Sequence, residues 1–192
     1  METSVSLLER LRSTSDEAAW QRLDDIYRPL IRRWLLRYPK LGEEAEDVVQ
    51  DVMHVLIREL PGFHRQRNGS FRRWLRTITA HRVLAHHRAR QHRPQALGAP
   101  LEECPLAQLS DPNSELSVLW DQEHDRYVLR RLLELIEPLF EETTLAAFRR
   151  VVFDELRPAQ VAAELGISVN AVLLSKSRVL GTLRQEAEGL ID

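Results

Sequence analysis

Three groups of side chains in this sequence have the types and spacing to do chemistry, and in each the chemistry is binding rather than bond making. The first lies between Arg58 and Arg93, where ten arginines face the single acid Glu59, a formal +9. Five of the seven histidines fall in the same stretch, together with Phe63, Phe71 and Trp74. Guanidinium groups neutralise phosphates, and interleaved aromatic rings stack exposed bases. Phe63, Arg65, Arg67, Arg72, Arg73, Trp74, Arg76, His81 and Arg82 are therefore candidate nucleic-acid contacts. Phe71, Trp74, Leu75 and Ile78 also share one helical face, so Trp74 has a competing role in the core.

The second group comes just before it. EEAEDVVQDV carries Glu43, Glu44, Glu46, Asp47 and Asp51 within nine residues. Acids favour a helix N-terminus because they face the positive end of the helix dipole, but these continue past the first turn. Asp47, Gln50 and Asp51, spaced i, i+3 and i+4, form one polar patch opposite the valines, suited to a basic protein partner.

The third is GISVNAVLLSKSRVLGTLR, near the end of the sequence. Pro158 suits the first turn of a short helix, PAQVAAEL. Gly166 permits a left-handed turn, Ile167 plugs the core and Ser168 caps the next helix. This is the pattern of a helix-turn-helix, whose second helix presents its N-terminal turns to the major groove. Val169, Asn170, Leu173 and Leu174 would then face base edges, while Lys176, Ser177, Arg178 and Arg184 are candidates for the backbone. Val172, Val179 and Leu183 turn inward. An ordinary helical hairpin can use the same Gly-x-Ser turn.

Those groups need helices to position them. Trp20, Leu23, Ile26, Tyr27, Leu30, Ile31, Trp34, Leu35 and Tyr38 recur at spacings of three and four, the stripe of a long helix starting near Ser15 or Asp16, with Pro29 as a candidate kink. A second helix follows Gly42 and ends at Pro61-Gly62; a third runs from about Ser70 toward Pro94. From Gln95 to Ser114 prolines at 100, 105 and 112 and the loss of periodicity indicate a tether. Helices resume with LSVLWDQEHDRYVLRRLLELIEPLF and continue to the helix-turn-helix. No segment alternates like a strand. The expected fold is all-α: two small helical domains, 1–94 and 115–192, joined by a flexible linker, 95–114.

Composition narrows the classes further. The 192 residues are 43% hydrophobic and 29% charged, with a net charge of -2, which suits globular domains. The polar, acidic start and the lack of an apolar run near the roughly eighteen residues of a membrane span imply a cytoplasmic protein without a span. Cys104 is the lone cysteine; it cannot make an internal disulfide and has no cysteine neighbour at zinc spacing, so neither a redox nor a structural-metal framework is expected. His81, His86 and His87 lack convergent acids, and adjacent helical positions diverge by about 100 degrees. No cofactor, metal or catalytic group is expected.

In combination these motifs resemble the bacterial extracytoplasmic-function (ECF) sigma factors, the small two-domain group. AEDVVQDV resembles that family's acidic motif for binding the clamp helices of core RNA polymerase. ELPGF and GSFRRWLRTITAHRVLAHHR resemble its segment that opens and reads the promoter -10 element, and VAAELGISVNAVLLSKSRVLGTLR its -35-reading domain. The resemblance implies that Asp47, Gln50 and Asp51 dock on polymerase, and that the basic helix with the loop from Phe63 to Ser70 holds the separated -10 strand. It further implies that Ser168, Asn170, Leu173, Leu174, Lys176, Ser177 and Arg178 meet the duplex -35 element. The tether would follow the path of nascent RNA, and an anti-sigma protein is a further candidate partner. Where the family often has Asn and Asp this chain has His81 and Ala85, a departure that bears on base preference. A conventional helix-turn-helix regulator, acting on DNA without polymerase, is the alternative; it gives no reason for the separate acidic patch.

Overall fold

The computed structural model describes residues 6–12, 16–63, 70–91 and 104–191. Its fold is all-α, and the chain divides into two compact units, one built on Leu7–Val128 and the other on Leu129–Glu188.

The first unit is organised by three helices. After a single turn, α1 (Leu7–Arg10), comes α2 (Glu17–Leu35), whose stripe of Leu23, Ile26, Tyr27, Leu30, Ile31, Trp34 and Leu35 is buried. Asp16 starts α2: its carboxylate accepts the Ala19 N–H at 2.9 Å and is clamped by Arg10 at 2.8 and 3.0 Å. The hydrogen bond from Arg10 is the largest reason that this carboxyl titrates below its ordinary value. The helix runs on through Pro29.

Gly42, at φ 50° and ψ -129°, lets the chain turn into α3 (Ala45–Glu59), a conformation without strain only for a residue lacking Cβ. Val48, Val49, Val52, Met53, Val55 and Leu56 are its buried side, and Pro61-Gly62 lies in the 3-10 turn that ends it. Next, α4 (Ser70–Gln91) buries Phe71, Leu75, Ile78, Ala80 and Val83. α2 packs on α3, α3 on α4, and Tyr27 meets Phe71 edge-on at 5.3 Å.

The stretch expected to be a flexible tether differs where it is described; 95–103 lies outside the described residues. A 3-10 helix, Pro105–Ser110, packs on α4 with Leu106 and Leu109 buried. Ser114 then closes the turn, its hydroxyl donating to the Gln108 carbonyl at 2.7 Å and accepting the Ser117 N–H at 3.1 Å.

α5 (Glu115–Ile136) follows, and the boundary between the units falls inside it rather than in the expected linker. Ser117, Trp120, His124 and Val128 recur at three and four residues and are all buried in the first unit. Trp120 packs on Trp34 with 4.8 Å between ring centroids and the rings tilted by 49°, and the His124 ring lies 5.8 Å from that of Tyr27. Proline content suggests a tether locally, but a handful of apolar side chains at helical spacing suffices to draw this stretch onto the core.

The second unit contains the end of α5, then α6 (Glu142–Val152), α7 (Pro158–Leu165) and α8 (Val169–Ala187). Ala147, Val161, Ala162 and Val172 form its core, with Val151, Leu156, Leu165 and Ile167 packed against them. Gly166 adopts the left-handed conformation (φ 65°, ψ 30°) that ends α7, and three residues later α8 departs at 106° to it. Among the described residues no single helix is long and apolar enough to cross a membrane.

Candidate nucleic-acid interface

The basic helix α4 presents two different faces. Arg73 and His81 are exposed, and Arg82 and Trp74 are half-buried. Trp74 belongs to an aromatic cluster: its ring centroid is 4.9 Å from Phe63 and 5.7 Å from Phe71, and Phe63 and Phe71 meet edge-on at 5.7 Å. This cluster brings Phe63, at the exit of α3, beside the first turn of α4. Arg65 and Arg67 lie outside the described residues.

Arg72 and Arg76 are placed elsewhere than on an open phosphate-binding surface. Arg76 is only 2% exposed; its Nη1 donates to Asp121 Oδ1 at 2.7 Å and to the Ser117 carbonyl at 3.4 Å. Arg72 is hydrogen-bonded to Asp125, and its Nε lies 3.5 Å from Asp121 Oδ1. Glu123, between those two acids, takes Arg37 in a two-pronged bridge at 2.7 and 2.8 Å, and Arg37 itself lies 4.4 Å over the Trp34 ring. Asp121, Glu123 and Asp125 carry no assignment from the sequence. Their signal was the alternating acids of WDQEHD, which a search for clustered charge passes over.

His124 is buried beside them, and its Nδ1 lies 2.9 Å from Asp125 Oδ1. Burial pushes the imidazole below its ordinary value of 6.5, against the pull of Asp125. For Asp125 burial acts upward, but the hydrogen bonds from His124 and Arg72 outweigh it and hold the carboxyl below 3.8. Because the unfolded histidine takes a proton first, its contribution to stability is complete above pH 6.5 and is lost as pH falls from there toward the depressed folded value. Carboxylate stabilisation by Asp125 is present above pH 3.8 and lost below it. The melting temperature should therefore fall between pH 7 and 5, and His124→Gln should flatten that fall. Parallel curves for the two proteins would remove His124 as its source.

At the start of α3 and just before it the acids separate into two sets. Glu44 lies 3.5 Å from Arg90 and 3.8 Å from His86 of α4, and Glu46 pairs with Arg32 of α2. Asp47, Gln50 and Asp51 are exposed, and among the described residues none of them makes an ion pair or side-chain hydrogen bond. The fold thus uses the outer acids internally and leaves the i, i+3, i+4 patch to solvent.

On α8 the Ser168 hydroxyl accepts the Ala171 N–H at 3.1 Å, which caps the helix. Asn170, Leu173, Leu174, Ser177 and Arg178 are exposed and Lys176 is half-buried, whereas Val172, Val179 and Leu183 are buried. The exposed residues therefore share one continuous face. Among the described residues no three His, Cys, Asp or Glu side chains are grouped to hold a metal ion.

Residues 23–93, from within α2 to just beyond α4, match Sigma-70 region 2. Over 186 residues the chain is 26% identical to the ECF RNA polymerase sigma factor RpoE of Cereibacter sphaeroides, a similarity spanning 94% of this chain and 93% of that protein. The resemblance to ECF sigma factors therefore runs through both units, and the two matches support a role in transcription initiation as a sigma factor. Such factors act by binding. A regulator that works without polymerase is not favoured. The region 2 match stops short of 105–128, the part of the first unit that pairs with Arg72 and Arg76.

Proposed function

We propose that this protein binds core RNA polymerase in the cytoplasm, directs it to particular promoters and promotes opening of the -10 element. The observation that carries this is the solvent-facing, internally unpaired patch of Asp47, Gln50 and Asp51 on the same small domain as the basic helix α4. A nucleic-acid-binding domain gains nothing from displaying unpaired acids to DNA, whereas a domain held between a basic protein and DNA needs both signs of charge. Co-elution of the purified chain with core polymerase as a one-to-one complex tests it; absence of a complex at micromolar concentrations would reject it.

In this mechanism Arg73, Arg82 and His81 carry the strand phosphates on α4, and Phe63 and Trp74 offer rings to an unstacked base. Capture of that base offsets an unpairing cost of a few kcal/mol, so opening is favourable only in the complex. The second unit holds the upstream duplex through α8. The 106° departure of α8 from α7 across a three-residue turn suits the helix-turn-helix class.

Asn170 in the first turn of α8 can both donate to and accept from an adenine edge, and Leu173 and Leu174 suit thymine methyls. Asn170→Ala should relax preference at one or two upstream base pairs, each worth roughly 1 to 3 kcal/mol, whereas Arg178→Ala should weaken binding to all sequences alike. Selection from a randomised upstream library, with polymerase and the -10 sequence held constant, checks this. Identical base profiles for wild type and variant would leave Asn170 as a positioning contact only.

A further inference from the structure

We infer that residues 115–128 are an internal competitor for nucleic acid, with the carboxylates of Asp121 and Asp125 occupying the guanidinium groups of Arg72 and Arg76 where strand phosphates would bind. The inference rests on the proposal that α4 holds promoter DNA. Its observations are independent of that proposal.

The first is stereochemical. Arg72 and Arg76, one helical turn apart on α4, converge on Asp121 Oδ1, and Arg72 reaches on to Asp125, one turn further along α5. Two anionic groups a turn apart on a helix thus meet two guanidinium groups a turn apart on another. A guanidinium binds carboxylate and phosphate oxygens through the same donors, so the two ligands exclude each other. The second is that the acids come from one segment: Ser117, Asp121 and Asp125 are all on α5, and no other element among the described residues gives Arg76 an acid.

The third is that the interface is polar at its centre and incompletely satisfied. Tyr27 Oη, Trp34 Nε1, Trp120 Nε1 and His124 Nε2 are buried there without a hydrogen-bond partner. Trp120 Nε1 and His124 Nε2 lie on the segment itself and regain water when it lifts, so burial of the segment is opposed by its own polar atoms. Apolar contact between Trp34 and Trp120 and four arginine–acid pairs, Arg37–Glu123, Arg72–Asp121, Arg72–Asp125 and Arg76–Asp121, hold it down; a polyanion that takes over Arg72 and Arg76 removes three of those pairs. The segment is thus held firmly enough to cover α4 in the free protein and is displaced by the ligand that α4 is proposed to bind.

The test uses the full chain and a fluorescein-labelled oligothymidylate. Asp121→Asn with Asp125→Asn keeps side-chain volume but removes the competing charge. Affinity for the single strand should rise about tenfold, with a steeper salt dependence as one or two more counterions are released. Adding Arg72→Ala and Arg76→Ala in that background should abolish the gain. Unchanged affinity in a folded double-Asn variant would overturn the inference, and so would a gain that survives loss of both arginines, since it would then reflect net charge alone. Hydrogen exchange in the wild-type chain gives a readout free of folding artefacts: amides of 115–128 should lose protection when oligothymidylate saturates the protein, and retained protection would also overturn it. Arg73→Ala separates the two levels. If it leaves strand binding by the polymerase complex intact, the role of α4 itself fails; if it weakens that binding while the Asn variant gains nothing, only the competitor fails.

Discussion

Asp47→Arg together with Asp51→Arg is expected to weaken binding to core RNA polymerase by about 100-fold, roughly 3 kcal/mol, while leaving the fold intact. On the proposed docking, reversing both charges places cations against a basic partner surface, and like charges across an interface cost more than the loss of an attraction. The fold has little at stake, because both side chains are exposed and the buried face of α3 is built from Val48, Val49, Val52, Met53, Val55 and Leu56. Stability should therefore change by no more than about 0.5 kcal/mol. Equilibrium binding and thermal melting on the same preparations check both halves. Wild-type affinity would remove this patch from the interface; a collapsed melting temperature would mean that the acids hold α3 in place.

Trp120→Ala should destabilise the first unit by about 3 to 5 kcal/mol. Trp120 has no exposed surface, and its ring packs on Trp34, at the C-terminal end of the α2 stripe. Truncation removes this ring contact and leaves a cavity that rigid helices fill poorly. Leu119→Ala, one position away but 41% exposed, should cost little. Hydrogen exchange of α2 and α4 amides reads the first unit directly. If those amides are as protected in Trp120→Ala as in the wild type, residues 115–128 do not belong to that unit's core.

The stripe of α2, the valine face of α3, and the Gly166 and Ser168 turn into α8 were all legible in the sequence, because each depends on spacing or backbone conformation within a few residues. Val172, Val179 and Leu183 turn inward for the same reason. What was not legible is non-local. Arg72 and Arg76 sit in a run of arginines that reads as a uniform phosphate surface, yet their partners lie some forty to fifty positions onward, as the 45- and 53-residue separations to Asp121 and Asp125 show.

Those acids are spread through a helix between apolar residues and form no visible cluster. The prolines from 100 to 112 point to a tether, and nothing local reveals that Leu106, Leu109 and Trp120 find room on the first unit. Trp74 was ambiguous between core and ligand for a physical reason: it is half-buried, packed on Phe63 and Phe71 with part of its ring in solvent. The acidic patch was readable as a patch, but only the structure separates Glu44 and Glu46, which pair with α4 and α2, from the unpaired Asp47 and Asp51.

Reconstituted transcription is the decisive experiment for the proposal that this chain makes core polymerase promoter-specific. Core RNA polymerase freed of other sigma factors would be mixed with the purified chain and a library of promoter fragments randomised across both elements, and the transcripts sequenced. The expected result is initiation at a defined position from a subset of fragments that share a -10 and a -35 element, dependent on the added chain and lost with Asp47→Arg and Asp51→Arg. Transcription that is no more selective than that of core polymerase alone, with the chain folded and present in excess, would contradict the account.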